Sequence, residues 1–155
     1  MLKVKILVMS DFLDANNEEL LKDYFSEAEL MVDNLESNIL AIENDPANHD
    51  AIDEIFRAAH TLKGNSATVE FTEISTFAHK MEDLLDEVRS DRVQVTEDVV
   101  DTLLNSLDII KAMLEARQNG SVSESVEEIS NKIESFIPEK TGKGKNSSPA
   151  PKPVS

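Results

Sequence analysis

The sequence contains no cysteine among its 155 residues. Disulfide bonds, thiol catalysis and cysteine-ligated metals are therefore excluded, and the absence fits a cytosolic protein. Glycine and proline are also scarce, with four and five residues, and most of them lie in the last third of the chain. The rest of the chain offers long segments without a helix breaker, which favours an all-α fold.

Nucleotide-binding and metalloprotease motifs are missing as well. The sequence has no P-loop, no dinucleotide-binding fingerprint, no kinase glycine-rich loop and no HExxH motif. We therefore expect no ATP site and no cofactor. The apolar part of residues 1–9 is too short for a membrane span, so we assign these residues to an N-terminal extension and expect no membrane insertion.

The charge is predominantly of one sign. There are 15 Lys and Arg residues against 31 Asp and Glu residues, a net charge of −16. Such a chain repels nucleic acids and anionic membrane surfaces, so neither is an expected partner. Residues 139–155 differ, because they contain four Lys and one Glu and so carry a net charge of +3. The residues before them therefore carry a net charge of −16 minus +3, or −19. Together with glycine and proline, this composition predicts a flexible linker, and we expect a longer protein of which this chain is a fragment.

Apolar residues recur in steps of three and four along most of the chain, which predicts five amphipathic helices. The first predicted helix runs from about residue 18, after an Asn16–Asn17 cap, to residue 44. The next three run from 49 to 68, from about Ile74 to Arg89–Ser90, and from Thr96 to Gly120. The fifth begins at a capping box, formed either by Ser121 and Glu124 or by Ser125 and Glu128, and ends at Phe136. The fifth helix is expected to bury Val122, Val126, Ile129, Ile133 and Phe136. Short loops between the helices predict an antiparallel four-helix bundle within residues 10–138, which the fifth helix caps or extends.

The second predicted helix carries a histidine outside its apolar face. That face is formed by Ile55, Phe56, Ala59, Leu62 and Ser66. His60 lies about 120° from the centre of the face, where solvent and a partner can reach it. One turn later, Gly64 removes a side chain from the surface beside the histidine, although a glycine inside a helix costs about 1 kcal/mol relative to alanine.

The third predicted helix offers companions for this histidine. His79 and Glu82 are three residues apart and so are neighbours on the helix surface, and Glu82 lies on the flank of its apolar stripe, as His60 does. If the two helices pack antiparallel, these flanks meet and Lys63 joins them. A carboxylate that accepts a hydrogen bond from one imidazole nitrogen makes the other nitrogen a better nucleophile. A nearby lysine would balance the charge of a phosphoryl group bound there.

The residues alone leave three interpretations open. In the first, His60 is a nucleophile. In the second, the histidines are ordinary surface residues of a non-catalytic helical adaptor, whose apolar stripes bind a partner helix. In the third, His60, His79 and Glu82 bind a metal ion. His49, at the start of the second helix, is interpreted as a surface residue.

Two segments match a known family. The run Phe56–Gly64, FRAAHTLKG, resembles the His-x-Leu/Ile-Lys-Gly motif of the histidine phosphotransfer (Hpt) family, and most of all its CheA-type chemotaxis members. Thr68–Phe71 is similar to the Thr-x-Gly-Phe stretch that follows in them, and His79–Asp86 to their His-x-x-Glu-x-x-Leu-Asp pattern. The resemblance covers about residues 10–145. Glu70 stands in place of the family's glycine, where it would strain a left-handed turn, and Asn65–Ser66 replaces small or glycine residues.

The resemblance implies roles for four residues in the chemistry. His60 matches the phosphorylated histidine, and Lys63 matches the lysine near the phosphoryl group. Glu82 matches the acid that orients the histidine. His79 matches a second histidine of the same hydrogen-bonded group.

The resemblance also implies partners. Gly64 matches the glycine that leaves room for a docking receiver domain, and Arg57 in the same motif is expected to contact a partner. The ATP-binding domain of a CheA-type kinase would phosphorylate the domain, and an aspartate of a CheY-like receiver would take the phosphoryl group. The domain would then be a carrier within a histidine kinase and not a catalyst by itself.

Overall fold

The computed structural model describes the backbone of residues 2–138 and the side chains of residues 18–138. Within residues 2–138, five α-helices follow one another: α1 Leu2–Asn44, α2 His49–Thr68, α3 Thr72–Arg89, α4 Glu97–Gln118 and α5 Glu127–Ser135. No strand occurs within residues 2–138, so the predicted all-α class is confirmed. The tail predicted for residues 139–155 lies outside the described residues. None of the helices described is long and apolar enough to cross a membrane.

The first four helices close around one core. Helices α1 and α3 each pack against both α2 and α4. The short connections between successive helices make neighbours antiparallel. The pairs Tyr24–Ser66 and Glu36–Lys111 join α1 to α2 and to α4. The fifth helix packs against α3 and α4 and, with the residues after it, places Ile133 and Ile137 in the core. The predicted four-helix bundle with an added C-terminal helix is confirmed.

The start of α1 was predicted wrongly. The helix begins at Leu2 and not near residue 18, so the backbone of Asn16 and Asn17 is helical and these residues do not cap it. An asparagine inside a helix costs at most about 0.7 kcal/mol relative to alanine. Propagation of an existing helix is far easier than a new start, and two asparagines are therefore too weak a signal to end it.

The bounds predicted for α2 are confirmed. The side chain of Asn48 accepts a hydrogen bond of 3.0 Å from the backbone N–H of Ala51 and so caps the helix. At the start of α4, the Thr96 hydroxyl accepts a 3.2 Å bond from the N–H of Val99 in the same way. These two caps correspond to local sequence signals, which explains why both starts could be predicted.

The turn after α2 has the left-handed backbone that the family's glycine suggested. Glu70 has a φ of 64°. Its N–H donates to the carbonyl of Ala67 at 3.0 Å, and the next N–H, of Phe71, donates to the carbonyl of Ser66 at 2.8 Å. This is the hydrogen-bond pattern of a Schellman motif, in which glycine is preferred. Gly120, with a φ of 80°, ends α4 in the same way, as predicted.

Of the two starts predicted for α5, the one at Ser121 and Glu124 is wrong, and the helix begins close to the other, at Ser125 and Glu128. The helix begins at Glu127 after Val126, without a side-chain cap, and Val122 is 57% exposed. Ser121 is used elsewhere, because its N–H donates to the carbonyl of Ala116 at 2.8 Å and so closes α4. The acidic first turn of α5 then interacts favourably with the positive end of the helix dipole.

An aromatic corner fixes the turn between α2 and α3. Tyr24 lies edge-on to Phe71, with ring centroids 5.2 Å apart, and its hydroxyl lies 2.7 Å from the hydroxyl of Ser66. The guanidinium carbon of Arg117 lies 4.4 Å from the centroid of the Phe71 ring, and this arginine also binds Glu73 through two hydrogen bonds of 2.7 and 2.8 Å. Ser66, one of the departures from the family pattern, thus has a partner in α1.

Candidate functional site

His60 and Glu82 meet at the surface between α2 and α3. Nδ1 of His60 is hydrogen-bonded to Oε2 of Glu82. The His60 side chain is 61% exposed and the Glu82 side chain only 11%. With Nδ1 protonated, the ring donates to the carboxylate, and the lone pair of Nε2 is left free on an exposed ring. The antiparallel approach of the two flanks, predicted from the helical pattern, is confirmed.

Lys63 completes the arrangement from α2. Its Nζ lies 2.7 Å from Oε1 of Glu82, so the two carboxylate oxygens face two different basic groups. Burial alone would raise the pKa of the Glu82 carboxyl group, but the contacts with Lys63 and His60 outweigh it and hold that pKa below its ordinary value. Glu82 is therefore a carboxylate at neutral pH, which keeps it a hydrogen-bond acceptor for the imidazole.

The surface next to His60 is bare at Gly64. Among the described residues, and apart from the neighbouring backbone of its own helix, a Cβ atom added at this glycine would have no heavy atom within 4 Å. Packing within the chain therefore does not require glycine here, and its backbone has no left-handed conformation to explain it. What the glycine provides is open space one helical turn from the imidazole.

Arg57 and His79 lie at the surface without entering the group around Glu82. Arg57 is exposed on α2. His79 is 58% exposed, and its Nε2 lies 3.5 Å from Oδ1 of Asp83, one turn further along α3. Within residues 18–138 we find no hydrogen bond from His79 to Glu82. His79, the second histidine of the expected group, thus lies beside Asp83 and not beside Glu82. Both carboxylates are within reach of His79 in principle, since the i+3 and i+4 neighbours on a helix are equally close.

Sequence reasoning missed one contact of His60. Phe56 was predicted to lie on the core face, but it is only half-buried. Its ring lies nearly parallel to the imidazole, at an interplanar angle of 15° and a centroid distance of 6.3 Å. Arg89 lies over the same phenyl ring, with its guanidinium carbon 3.8 Å from the centroid. The contact of Arg89 with α2 could have been expected from its position in the sequence. Arg89 follows Glu82 by seven residues, or two helical turns, and so lies on the same face of α3.

The described side chains do not support the metal-site interpretation. Within residues 18–138, no group of three or more His, Asp or Glu side chains is arranged to hold a metal ion. His49, the third histidine of the sequence, is exposed at the first position of α2. The arrangement can instead present one imidazole nitrogen to an electrophile while a carboxylate holds the other.

Comparison with known proteins gives consistent matches. The family model described as "Hpt domain" matches residues 19–120. The chemotaxis protein CheA of Treponema pallidum is 62% identical over 131 residues, which cover 84% of this chain and 16% of that protein. The chain thus spans about a sixth of the length of the first curated relatives it matches.

Two solved structures resemble the bundle over most of its length. One is described as the solution structure of the histidine phosphotransfer domain of CheA. It has a TM-score of 0.70 and 32% identity, and the match covers 77% of this chain and 92% of that one. The other is a crystal structure of the phosphorylated P1 domain of CheA3 in complex with CheY6 from R. sphaeroides. It has a TM-score of 0.71 and 28% identity, with 78% and 97% of the chains covered.

Proposed function

Because the chain belongs to the Hpt domain family, we propose that it carries a phosphoryl group on Nε2 of His60 in a chemotaxis phosphorelay. The hydrogen bond between Nδ1 of His60 and Glu82 is the observation that carries this proposal. It leaves Nε2 as the free nitrogen of an exposed ring, and the carboxylate at Nδ1 makes that nitrogen a better nucleophile.

In the proposed reaction, the phosphoryl donor is ATP bound to the kinase domain of a CheA-type protein. The Nε2 lone pair forms a bond to the γ-phosphorus, and the bond from that phosphorus to the leaving oxygen of ADP breaks. The proton on Nδ1 stays in the hydrogen bond to Glu82. The relatives that match this chain are CheA proteins of which it spans only a small part, which supports a kinase domain elsewhere in a longer chain.

The proposed acceptor is an aspartate of a CheY-like receiver domain. Its carboxylate oxygen forms a bond to phosphorus while the bond from phosphorus to Nε2 breaks, and the imidazole returns to its starting state. A solved relative of the same fold is phosphorylated and bound to CheY6, which supports this class of partner. The open surface at Gly64 leaves room for a receiver to approach, and the exposed cation of Arg57 would contact it.

Lys63 has two proposed effects. Its ammonium group keeps Glu82 ionised in the resting state, and after phosphorylation it offers positive charge near the phosphoryl oxygens. His79 is less central in this account, because its close partner is Asp83. We therefore expect the function to depend strongly on Glu82 and weakly on His79.

A labelling experiment tests the proposal. The chain is incubated with ATP and a CheA-type kinase core, and the product is tested for phosphate that is labile in acid and stable in alkali. We expect label on the wild type and on His79→Gln, and none on His60→Gln. Equal label on His60→Gln would place the phosphate on another residue and so contradict the role of His60. No label on the wild type would contradict the proposal and favour the non-catalytic helical adaptor.

A further inference from the structure

The His60 ring needs more than its bond to Glu82 to hold a fixed orientation. The χ2 torsion of a histidine has broad minima, so the rotamer alone does not fix the plane of the ring. Because the side chain is 61% exposed, close packing from the core does not restrain it fully. A single hydrogen bond at Nδ1 still permits small correlated rotations about χ1 and χ2, so the ring can rock while the bond is kept.

Phe56 supplies a surface parallel to that plane. It precedes His60 by one helical turn, and the two rings are inclined by only 15° at a centroid distance of 6.3 Å. The phenyl ring is itself packed against the core. The imidazole thus lies beside a nearly parallel ring that is anchored below the surface.

Arg89 holds the phenyl ring from α3. Its guanidinium carbon lies 3.8 Å from the centroid of Phe56, a distance typical of a cation–π contact. Its Nε donates a 2.9 Å hydrogen bond to Oδ1 of Asp86, which limits the freedom of the long side chain. Glu82, Asp86 and Arg89 are spaced by four and three residues, so they form one row on α3 that faces α2.

We propose that Phe56 and Arg89 are positioning residues that hold the imidazole plane of His60 for phosphoryl transfer. The inference rests on the proposed function and adds to it a second contact that restrains the orientation of the reactive ring. Glu82 holds Nδ1, and the pair of Phe56 and Arg89 limits the rocking of the ring that this bond still permits. Neither residue of the pair touches the transferred group. They act through His60, since the in-line geometry of the Nε2 lone pair depends on the orientation of the ring.

The chain offers a matched control for this pair. On α5, Nζ of Lys132 lies 5.5 Å from the centroid of the Phe136 ring and 3.2 Å from Oδ2 of Asp98. This is also a cation held by an aspartate over a half-buried phenylalanine, but it belongs to another part of the bundle. Phe136→Leu and Lys132→Met therefore repeat the same chemical changes away from His60.

The test measures phosphorylation and ring motion in Phe56→Leu, Arg89→Met and the two control variants. Initial rates with ATP and a CheA-type kinase core, at varied concentrations of the full chain, give kcat and KM. Carbon-13 relaxation of the Cε1–H bond of His60 gives the order of its ring. For the two test variants we expect kcat to fall about three- to tenfold, KM to stay within about twofold, and the ring order to decrease. The controls should match the wild type.

The inference is overturned if both test variants keep the wild-type kcat, or if kcat falls while the order of the ring is unchanged. A raised KM with unchanged kcat would also overturn it, because the pair would then be a docking contact. If Phe56→Leu does not fold, Arg89→Met carries the test, since Arg89 is an exposed residue. His60→Gln in the same assay separates the two proposals. If His60→Gln loses the label while Phe56→Leu and Arg89→Met behave like the wild type, only the positioning role is contradicted.

Discussion

Glu82 accepts a hydrogen bond from Nδ1 of His60 through one carboxylate oxygen, while its other oxygen lies 2.7 Å from Nζ of Lys63. A single residue of α3 is thus linked to two residues of α2 that are one turn apart. This relationship determines which imidazole nitrogen faces solvent, and the proposed chemistry depends on it.

Glu82→Gln should slow the phosphorylation of His60. The amide oxygen can still accept a hydrogen bond from Nδ1, but it no longer stabilises the positive charge that develops on the ring during attack. We expect the initial rate with ATP and a CheA-type kinase core to fall about ten- to a hundredfold, with the helical content unchanged by circular dichroism. An unchanged rate would remove Glu82 from its proposed role. Asp83→Asn is the matched control on the same helix, and it should have little effect.

The same carboxylate should make stability depend on pH. The pKa of Glu82 is lowered in the folded state, so the unfolded chain binds more protons in the acid range. The stabilisation is fully present above the unfolded pKa and is lost as the pH falls through the folded value. Urea unfolding should therefore show Glu82→Gln less stable than wild type by about 1 kcal/mol at pH 7, with the difference closing below about pH 4. A constant difference across this range would contradict the account.

Gly64→Ala should raise stability. An added Cβ meets no atom of the described residues within 4 Å outside the neighbouring backbone of its own helix, and alanine is favoured over glycine inside a helix by about 1 kcal/mol. Urea unfolding measures the gain, and a loss of stability would show that glycine has a structural reason.

A larger residue at the same position should obstruct a receiver. Gly64→Gln, first phosphorylated with the small donor phosphoramidate, is expected to pass its phosphoryl group to a CheY-like receiver about tenfold more slowly, because the side chain separates the docking surfaces. Ala112→Gln, an exposed change on α4, serves as the control and should transfer at the wild-type rate. Equal rates for both variants would show that Gly64 is not needed for clearance.

Glu70→Gly should stabilise the fold. Glu70 has a φ of 64° in the turn that ends α2, a conformation that costs a non-glycine residue about 1 kcal/mol or more. We expect the free energy of unfolding to rise by about 0.5–1 kcal/mol. Gly120→Ala tests the converse at the end of α4, where φ is 80° and the added Cβ has space, and it should lower stability. No gain for Glu70→Gly would show that other contacts relieve the strain.

Arg117→Met should destabilise the aromatic corner. It removes a two-bond contact with Glu73 and the cation over Phe71. Both charged side chains are at least three-quarters buried, so we expect a loss of about 2 kcal/mol in urea unfolding. Lys111→Met breaks an exposed ion pair of 3.5 Å with Glu36 and should cost no more than about 0.5 kcal/mol. Equal losses would contradict the assigned importance of the corner.

The sequence predicted the parts of this molecule that depend on local signals. The start of α2 could be predicted because Pro46 lies in a polar segment that breaks the helical pattern, and the meeting of His60 with Glu82 followed from helical spacing once the two helices were taken as antiparallel. The start of α1 was missed because two asparagines are weaker than helix propagation. For α5, the start at Ser121 was wrong because Ser121 closes α4 instead, while the helix begins two residues after the alternative Ser125.

The side-chain partners could not be predicted in the same way. His79 has two carboxylates at helical spacing, and only the structure shows that Asp83 is the near one. Phe56 lies at the edge of an apolar stripe, where periodicity does not say whether a ring turns inward or along the surface. Its contact with Arg89 depends on the rotamer of a long side chain that no sequence pattern specifies.

The nitrogen that carries the phosphoryl group is the most direct test of the account. The chain, labelled with nitrogen-15 in its histidines, is phosphorylated by a CheA-type kinase core, and the coupling between phosphorus and nitrogen is recorded by NMR. We predict coupling to Nε2 of His60, with Nδ1 still protonated and bound to Glu82. Coupling to Nδ1, or phosphate on another residue, would contradict the central claim.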